Sequence, residues 1–80
     1  MNKKATTKDE LFLLKLYELG GVENEVDRYL IGRAIGQNTK GVDTIVKHLA
    51  QANFVKKGSE SSLILTPHGL RLVQEIAKER

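Results

Sequence analysis

The sequence predicts a small α+β domain, mostly helical, and three observations carry that expectation. Near the middle, Val42, Ile45, Val46 and Leu49 follow the i, i+3, i+4, i+7 spacing of one helix face. Helix-favouring stretches precede and follow it, opened by N-capping side chains. Between residues 54 and 66 the pattern changes to two short apolar runs around Gly58-Ser59-Glu60-Ser61-Ser62, which is turn chemistry and reads as a small hairpin.

The first helix is expected from Thr7. Thr7 and Glu10 have capping-box spacing, in which each side chain satisfies an orphan backbone N–H. Leu11 to Leu19 is leucine-rich, with high helix propensity, and Gly20-Gly21 ends it. A short second helix is expected after its cap Asp27, with Val26 and Ile31 spaced as a hydrophobic staple and Gly36 at its end. Asn38 caps a third helix, expected at about Asn38 to Asn53, whose polar face carries Lys40, Asp43, Thr44, Lys47 and Gln51. Phe54 to Lys57 reads as a strand and Leu63 to Leu65 as its return. Thr66 caps a last helix with Pro67 at the first helical position, and Leu65 and Leu70 have staple spacing around that cap. Leu70, Val73, Ile76 and Ala77 supply its apolar face. Residues 1–6 are expected as a flexible basic arm and 7–80 as one domain: a helix-turn-helix at about 27–53, a hairpin at about 54–66 and a C-terminal helix at about 67–79.

Eighty residues bury only about 60% of their unfolded surface, so stability is expected to be marginal. There is no cysteine, which excludes disulfides, thiolate metal sites and a cysteine nucleophile. No apolar run approaches the ~20 residues of a membrane span. No apolar stretch of signal-peptide kind precedes Leu11, so a soluble, cytoplasmic protein is expected. The net charge is +3, unevenly spread. Residues 9–36 carry six acids against three bases, whereas residues 37–58 carry Lys40, Lys47, Lys56 and Lys57 against Asp43 alone. A basic centre beside an acidic neighbour suits an anionic partner facing one surface; an ordinary solvated face is the plainer reading.

Two helices joined by a tight turn, the second with one apolar and one polar face, form the helix-turn-helix arrangement. Gly32 is small where the helices must approach, Gly36 sits at the turn, and Ile31, Ile35, Val42 and Ile45 are expected to close the core between them. The run from Ile31 to Leu49 resembles the helix-turn-helix of MarR-type and related bacterial and archaeal winged-helix regulators, matching their order of apolar and small positions without a gap. Asn53-Phe54-Val55-Lys56-Lys57 resembles their passage into the wing, and Leu65-Thr66-Pro67-His68-Gly69 their leucine-threonine-proline-x-glycine step out of it. The resemblance covers roughly residues 7–78 and implies a winged helix-turn-helix: a three-helix core, a small β-hairpin wing and a C-terminal helix. It implies fold more firmly than function. The sequence departs from the pattern at Gly41, inside the third helix, and at Glu60, where many wings carry arginine. It also lacks the long extra helices with which full-length MarR-type proteins dimerise and enclose a ligand, so no small-molecule ligand is expected.

Such a recognition helix presents its N-terminal and outward residues to base edges in the major groove of double-stranded DNA. Thr39, Lys40, Asp43, Thr44 and Lys47 are the candidates. Lysine donates to guanine, threonine bonds either way or touches the thymine methyl, and aspartate accepts from cytosine. Asp43 has a rival role, pairing with Lys47 at i, i+4, and that structural role is the favoured one. Lys56 and Lys57 are placed to reach phosphates, or to keep a strand edge from pairing with other chains. Lys3 and Lys4 belong to the expected arm.

Catalysis is not expected: there is no phosphate-binding glycine loop, nucleophile elbow or metalloprotease helix. A core this small is expected to leave little room for a pocket of a few hundred Å3. His48 and His68 lack a third ligand, so neither a metal nor another cofactor is expected. Phe12 and Phe54 are expected in the core. The first helix is apolar on too many sides for one stripe, and the last has a broad apolar arc. Leu11, Leu14, Leu72 and Ile76 are therefore expected at a homodimer interface; the rival reading is burial of the first helix within the domain. The alternative to a DNA-binding regulator is a protein-interaction module, which the acidic residues 9–36, Glu60 and the surplus leucines would suit.

Overall fold

The computed structural model describes residues 7–78. The arm expected over residues 1–6, with Lys3 and Lys4, lies outside them. Seven elements follow in order: α1 (Lys8–Glu18), β1 (Val26–Asp27), α2 (Arg28–Ala34), α3 (Thr39–Gln51), β2 (Val55–Lys57), β3 (Ser62–Leu65) and α4 (Pro67–Lys78).

The helix starts follow from local chemistry. Thr7 Oγ1 accepts from the Glu10 N–H at 3.1 Å, and Glu10 Oε1 accepts from the Thr7 N–H at 3.2 Å, which closes the capping box. Asp27 accepts from the Tyr29 N–H at 3.0 Å and Asn38 from the Gly41 N–H at 2.8 Å, opening α2 and α3. Thr66 does two things at the head of α4. Its Oγ1 accepts from the Gly69 N–H at 2.9 Å and donates to the Asn53 carbonyl at 2.6 Å, tying the helix start to the residue that leaves α3.

Close approaches are made where side chains are missing. A Cβ on Gly32 would run into Val42 Cγ2, so α2 and α3 meet only because that position is bare. Gly36 takes φ +76° in the turn between them, a conformation that glycine adopts without strain. A Cβ on Gly69 would run into the Phe54 carbonyl oxygen. The leucine-threonine-proline-x-glycine step is thus a joint: threonine caps and anchors, proline starts the helix, and glycine lets α4 lie against the approach to β2.

The core gathers residues from every element. Phe12, Leu13, Leu16, Ile31 and Leu63 are fully buried, and Val42, Ile45, Val46, Leu49, Val55, Leu65 and Val73 pack with them. Phe54, expected in the core, is only half-buried; it packs on the core's edge and stacks on His68 with ring centroids 4.7 Å apart. Leu11, Tyr17 and Leu19 remain exposed, so α1 is partly central and partly bare.

The sheet has one strand more than the sequence suggested. β3 lies in the middle, with β2 on one side and β1 on the other, all antiparallel. Val26 pairs with Leu63 and Asp27 with Ser62. Val26, read as one half of a staple, is a strand residue buried in the core. Two residues carry no alternation to detect, so the pairing was invisible to pattern.

Candidate nucleic-acid interface

α3 presents two chemically opposite faces. Val42, Ile45, Val46 and Leu49 are at most 4% exposed, while Thr39, Lys40, Asp43, Thr44 and Lys47 all stand in solvent. Lys40, Thr44 and Lys47 follow i, i+4, i+7 and form a ridge along the helix. No ion pair among the described residues engages Lys40, Lys47, Lys56 or Lys57. Their ammonium groups are therefore not neutralised within the described chain.

Two ridge residues are constrained further. Thr44 Oγ1 donates to the Lys40 carbonyl at 3.1 Å. Its proton is spent inside the helix, and what it offers outward is a lone pair and a methyl group. Asp43 does not pair with Lys47, the role favoured for it. Its Oδ1 accepts instead from the Tyr29 hydroxyl at 2.8 Å and lies 3.6 Å from Arg28 Nη1, both on α2. Helical spacing offered Lys47 as a partner, but the neighbouring helix supplies a phenol and a guanidinium at closer range. That hydrogen bond from the phenol to Asp43, helped by partial burial, holds the Tyr29 pKa above its ordinary value. Arg28 and Tyr29 were not singled out from the sequence, because nothing in a linear pattern pairs them with a residue a helix away.

The turn between β2 and β3 is held from outside itself. Glu25 Oε1 accepts from the Ser59 N–H at 3.2 Å and from the hydroxyls of Ser59 and Ser62, each at 2.9 Å. Those hydrogen bonds, first the one from the Ser59 backbone, hold the Glu25 carboxyl below the usual carboxylate range. Lys56 and Lys57 lie exposed on β2, an outer strand of the sheet. That placement keeps both of their readings open, as phosphate contacts and as charges guarding an edge. Glu60 takes φ +51° at the turn.

The two histidines are far apart in role. His48 Nδ1 lies 3.7 Å from Asp9 Oδ2, joining the end of α3 to the start of α1, while His68 stacks on Phe54. Of the four residues expected at a dimer interface, Leu11 is 37% exposed, Leu14 and Leu72 are half-buried, and Ile76 is only 9% exposed. Ile76 therefore has little surface left to give a second copy. An apolar groove of about 430 Å3 does run along this side, lined by Leu11, Leu14, Tyr17, Ile35, Val73 and Ala77 and by Lys15 and Glu18, which pair with each other at 2.8 Å. It lies on the surface, between α1 and α4, rather than in the core. No helix among the described residues is long and apolar enough to cross a membrane.

No family model and no curated protein matches the chain in sequence. Three solved structures match it in shape. The PcaV transcriptional regulator from Streptomyces coelicolor, in complex with its natural ligand, superposes with a TM-score of 0.80 at 20% identity, covering 98% of this chain and 57% of that one. IdeR from T. acidophilum gives a TM-score of 0.79 at 20% identity, covering 95% of this chain and 35% of that one. A second PcaV structure gives 0.73 at 21% identity, over 92% and 57%. The chain thus spans little more than half the length of PcaV and about a third of IdeR. At these identities the likeness establishes architecture, and the architecture is a winged helix-turn-helix, with α2 and α3 as the helix-turn-helix and β2 and β3 as the wing.

Proposed function

We propose that this chain binds double-stranded DNA through α3 and the wing, as the DNA-reading part of a transcriptional regulator in the cytoplasm. The observation that carries this reading is the uncompensated ridge of Lys40, Thr44 and Lys47 on the solvent side of α3. In the major groove, Lys40 and Lys47 donate to guanine edges or to phosphates, and Thr39 and Thr44 meet base edges nearer the axis. Thr44 acts as acceptor or methyl contact, since its proton is engaged. Asp43 serves as an anchor between helices rather than as a reader. Lys56 and Lys57 extend the positive surface to the wing. No catalytic role is proposed, and no metal or small-molecule cofactor.

A homodimer fits this reading. Leu11 and Leu14 of the groove, with exposed Tyr17, give an apolar face that a two-fold copy would cover. Two recognition helices related in this way would suit a palindromic site with half-sites about 34 Å apart. Sedimentation at micromolar concentration is expected to show a dimer that Leu11→Glu dissociates.

Duplex titrations at several salt concentrations test the main reading. Lys40→Ala with Lys47→Ala is expected to weaken binding. If both lysines meet phosphates, the slope of log affinity against log salt falls by about 1.8. Absence of wild-type binding to random-sequence duplex at low salt would sink it and favour a protein-interaction module.

A further inference from the structure

Arg28, the first residue of α2, reaches both elements that the DNA reading requires. Its backbone N–H donates to the Ser61 carbonyl at 3.0 Å, and its side-chain Nε donates to the same oxygen at 3.1 Å. Its Nη1 lies 3.6 Å from Asp43 Oδ1 on α3. The side chain is only 15% exposed despite its charge. A planar guanidinium carries five donors in a fixed fork and can hold two acceptors at once, which an ammonium on a flexible stem does far less well.

We propose that Arg28 is a positioning residue that braces the wing turn against α3, through Ser61 and Asp43, so that wing and recognition helix meet DNA as one surface. The consequence for DNA rests on the reading above; the brace itself does not. Two features of the surroundings support it. The wing turn has few other ties to the body of the fold: Glu25 grips Ser59 and Ser62, and β1 pairs with Leu63 and Ser62. The brace also answers a problem of charge. Asp43 stands beside the lysine ridge, where an unpaired carboxylate would repel phosphates. Arg28 offsets that charge while Tyr29 fixes the carboxylate's direction, so the acid serves as an attachment point on a face meant for an anion.

The test combines duplex binding with amide hydrogen exchange of the free protein. Arg28→Ala is expected to weaken binding by on the order of tenfold. Arg28→Lys keeps the charge and is expected to restore little of the loss. On a background already lacking Lys56 and Lys57, Arg28→Ala is expected to cost clearly less, because a residue acting through the wing has nothing left to position there. In the free protein, Gly58 and Ser62 amides are expected to exchange faster in Arg28→Ala, with α1 and α4 unaffected. Should Arg28→Ala fail to fold, Asp43→Ala removes the acceptor on α3 and leaves the Ser61 half of the brace intact, and faster wing exchange is expected there too. Full rescue by lysine together with additive effects would overturn the proposal, making Arg28 a direct phosphate contact. Unchanged wing exchange would overturn it whatever the DNA result. A wild-type chain that binds no duplex would overturn the DNA reading and leave the brace to be decided by exchange alone.

Discussion

Two kinds of joint hold this fold together, and they are made in opposite ways. α2 meets α3, and α4 meets the approach to β2, at bare positions: Gly32 faces Val42 and Gly69 faces the Phe54 carbonyl. The wing turn is instead held by polar groups reaching in from other elements, Glu25 onto Ser59 and Ser62 and Arg28 onto Ser61. A joint made by close approach has no slack, since an added methyl has nowhere to go in a packed interior. A joint made by hydrogen bonds tolerates alteration, and its Glu25 half responds to pH. The difference teaches where the molecule is rigid by packing and where it is held by charge.

Gly69→Ala is expected to do the most damage. The new Cβ meets backbone, and backbone can yield only if α4 lifts from the wing strand. A loss of roughly 3 kcal/mol is expected by chemical denaturation, at the upper end of overpacking costs. Gly32→Ala comes next, at about 2 kcal/mol, because the atom it meets is a side-chain methyl. Removing that methyl distinguishes the two joints. Val42→Ala with Gly32→Ala is expected to cost less than the sum of the single variants, with a coupling of about 1 kcal/mol. Strict additivity would mean that the helices do not meet at this point.

The polar joint is sharpened by pH. The Glu25 carboxyl titrates below its ordinary range because it accepts three hydrogen bonds from the wing. What it contributes is therefore fully present above the unfolded carboxyl's pKa and is lost as pH falls through the depressed folded value. Wing amides at Ser59 and Ser62 are expected to lose protection on acidification in the wild type. In Glu25→Gln they are expected to be less protected at neutral pH and flatter in their response below it. A wing equally protected in both at pH 7 would show that the tie does not hold the turn.

The two kinds of joint were also unequally legible. Gly32 and Gly36 were legible from the close approach and sharp turn that a helix-turn-helix needs, and the leucine-threonine-proline-x-glycine step from its resemblance to a family pattern. The ridge on α3 followed from helical period alone. The polar ties were out of reach for a physical reason: Glu25 and Ser59 are 34 residues apart, and Arg28 and Ser61 are 33. Hydrogen bonds between such positions impose no period on either segment. Asp43 shows the cost of reasoning locally, since its i+4 neighbour was the obvious partner and a tyrosine 14 residues earlier is the actual one. β1 was missed for a related reason. Its two residues pair only because β3 is already in place.

The smallest expected effect concerns a glycine that belongs to neither kind of joint. Gly41 lies in the first turn of α3, where its N–H is held by the Asn38 cap. A Cβ there would come within 2.6 Å of Gln37 Oε1 and 3.3 Å of Asn38 Oδ1. The first is the far end of a flexible side chain that can swing away, and the second need give only a few tenths of an ångström. Against that stands the helix propensity of alanine over glycine, worth up to about 1 kcal/mol. Gly41→Ala is therefore expected to stabilise by about 0.5 kcal/mol, raising Tm by roughly 2–4 °C in a domain of this size. Duplex affinity is expected to stay unchanged, because the methyl points back toward Gln37 and the cap rather than out along the ridge. A more stable variant that binds DNA less well would instead make Gly41 a site of close backbone approach to phosphate, and the head of α3 would then be shaped by its ligand rather than by its own packing.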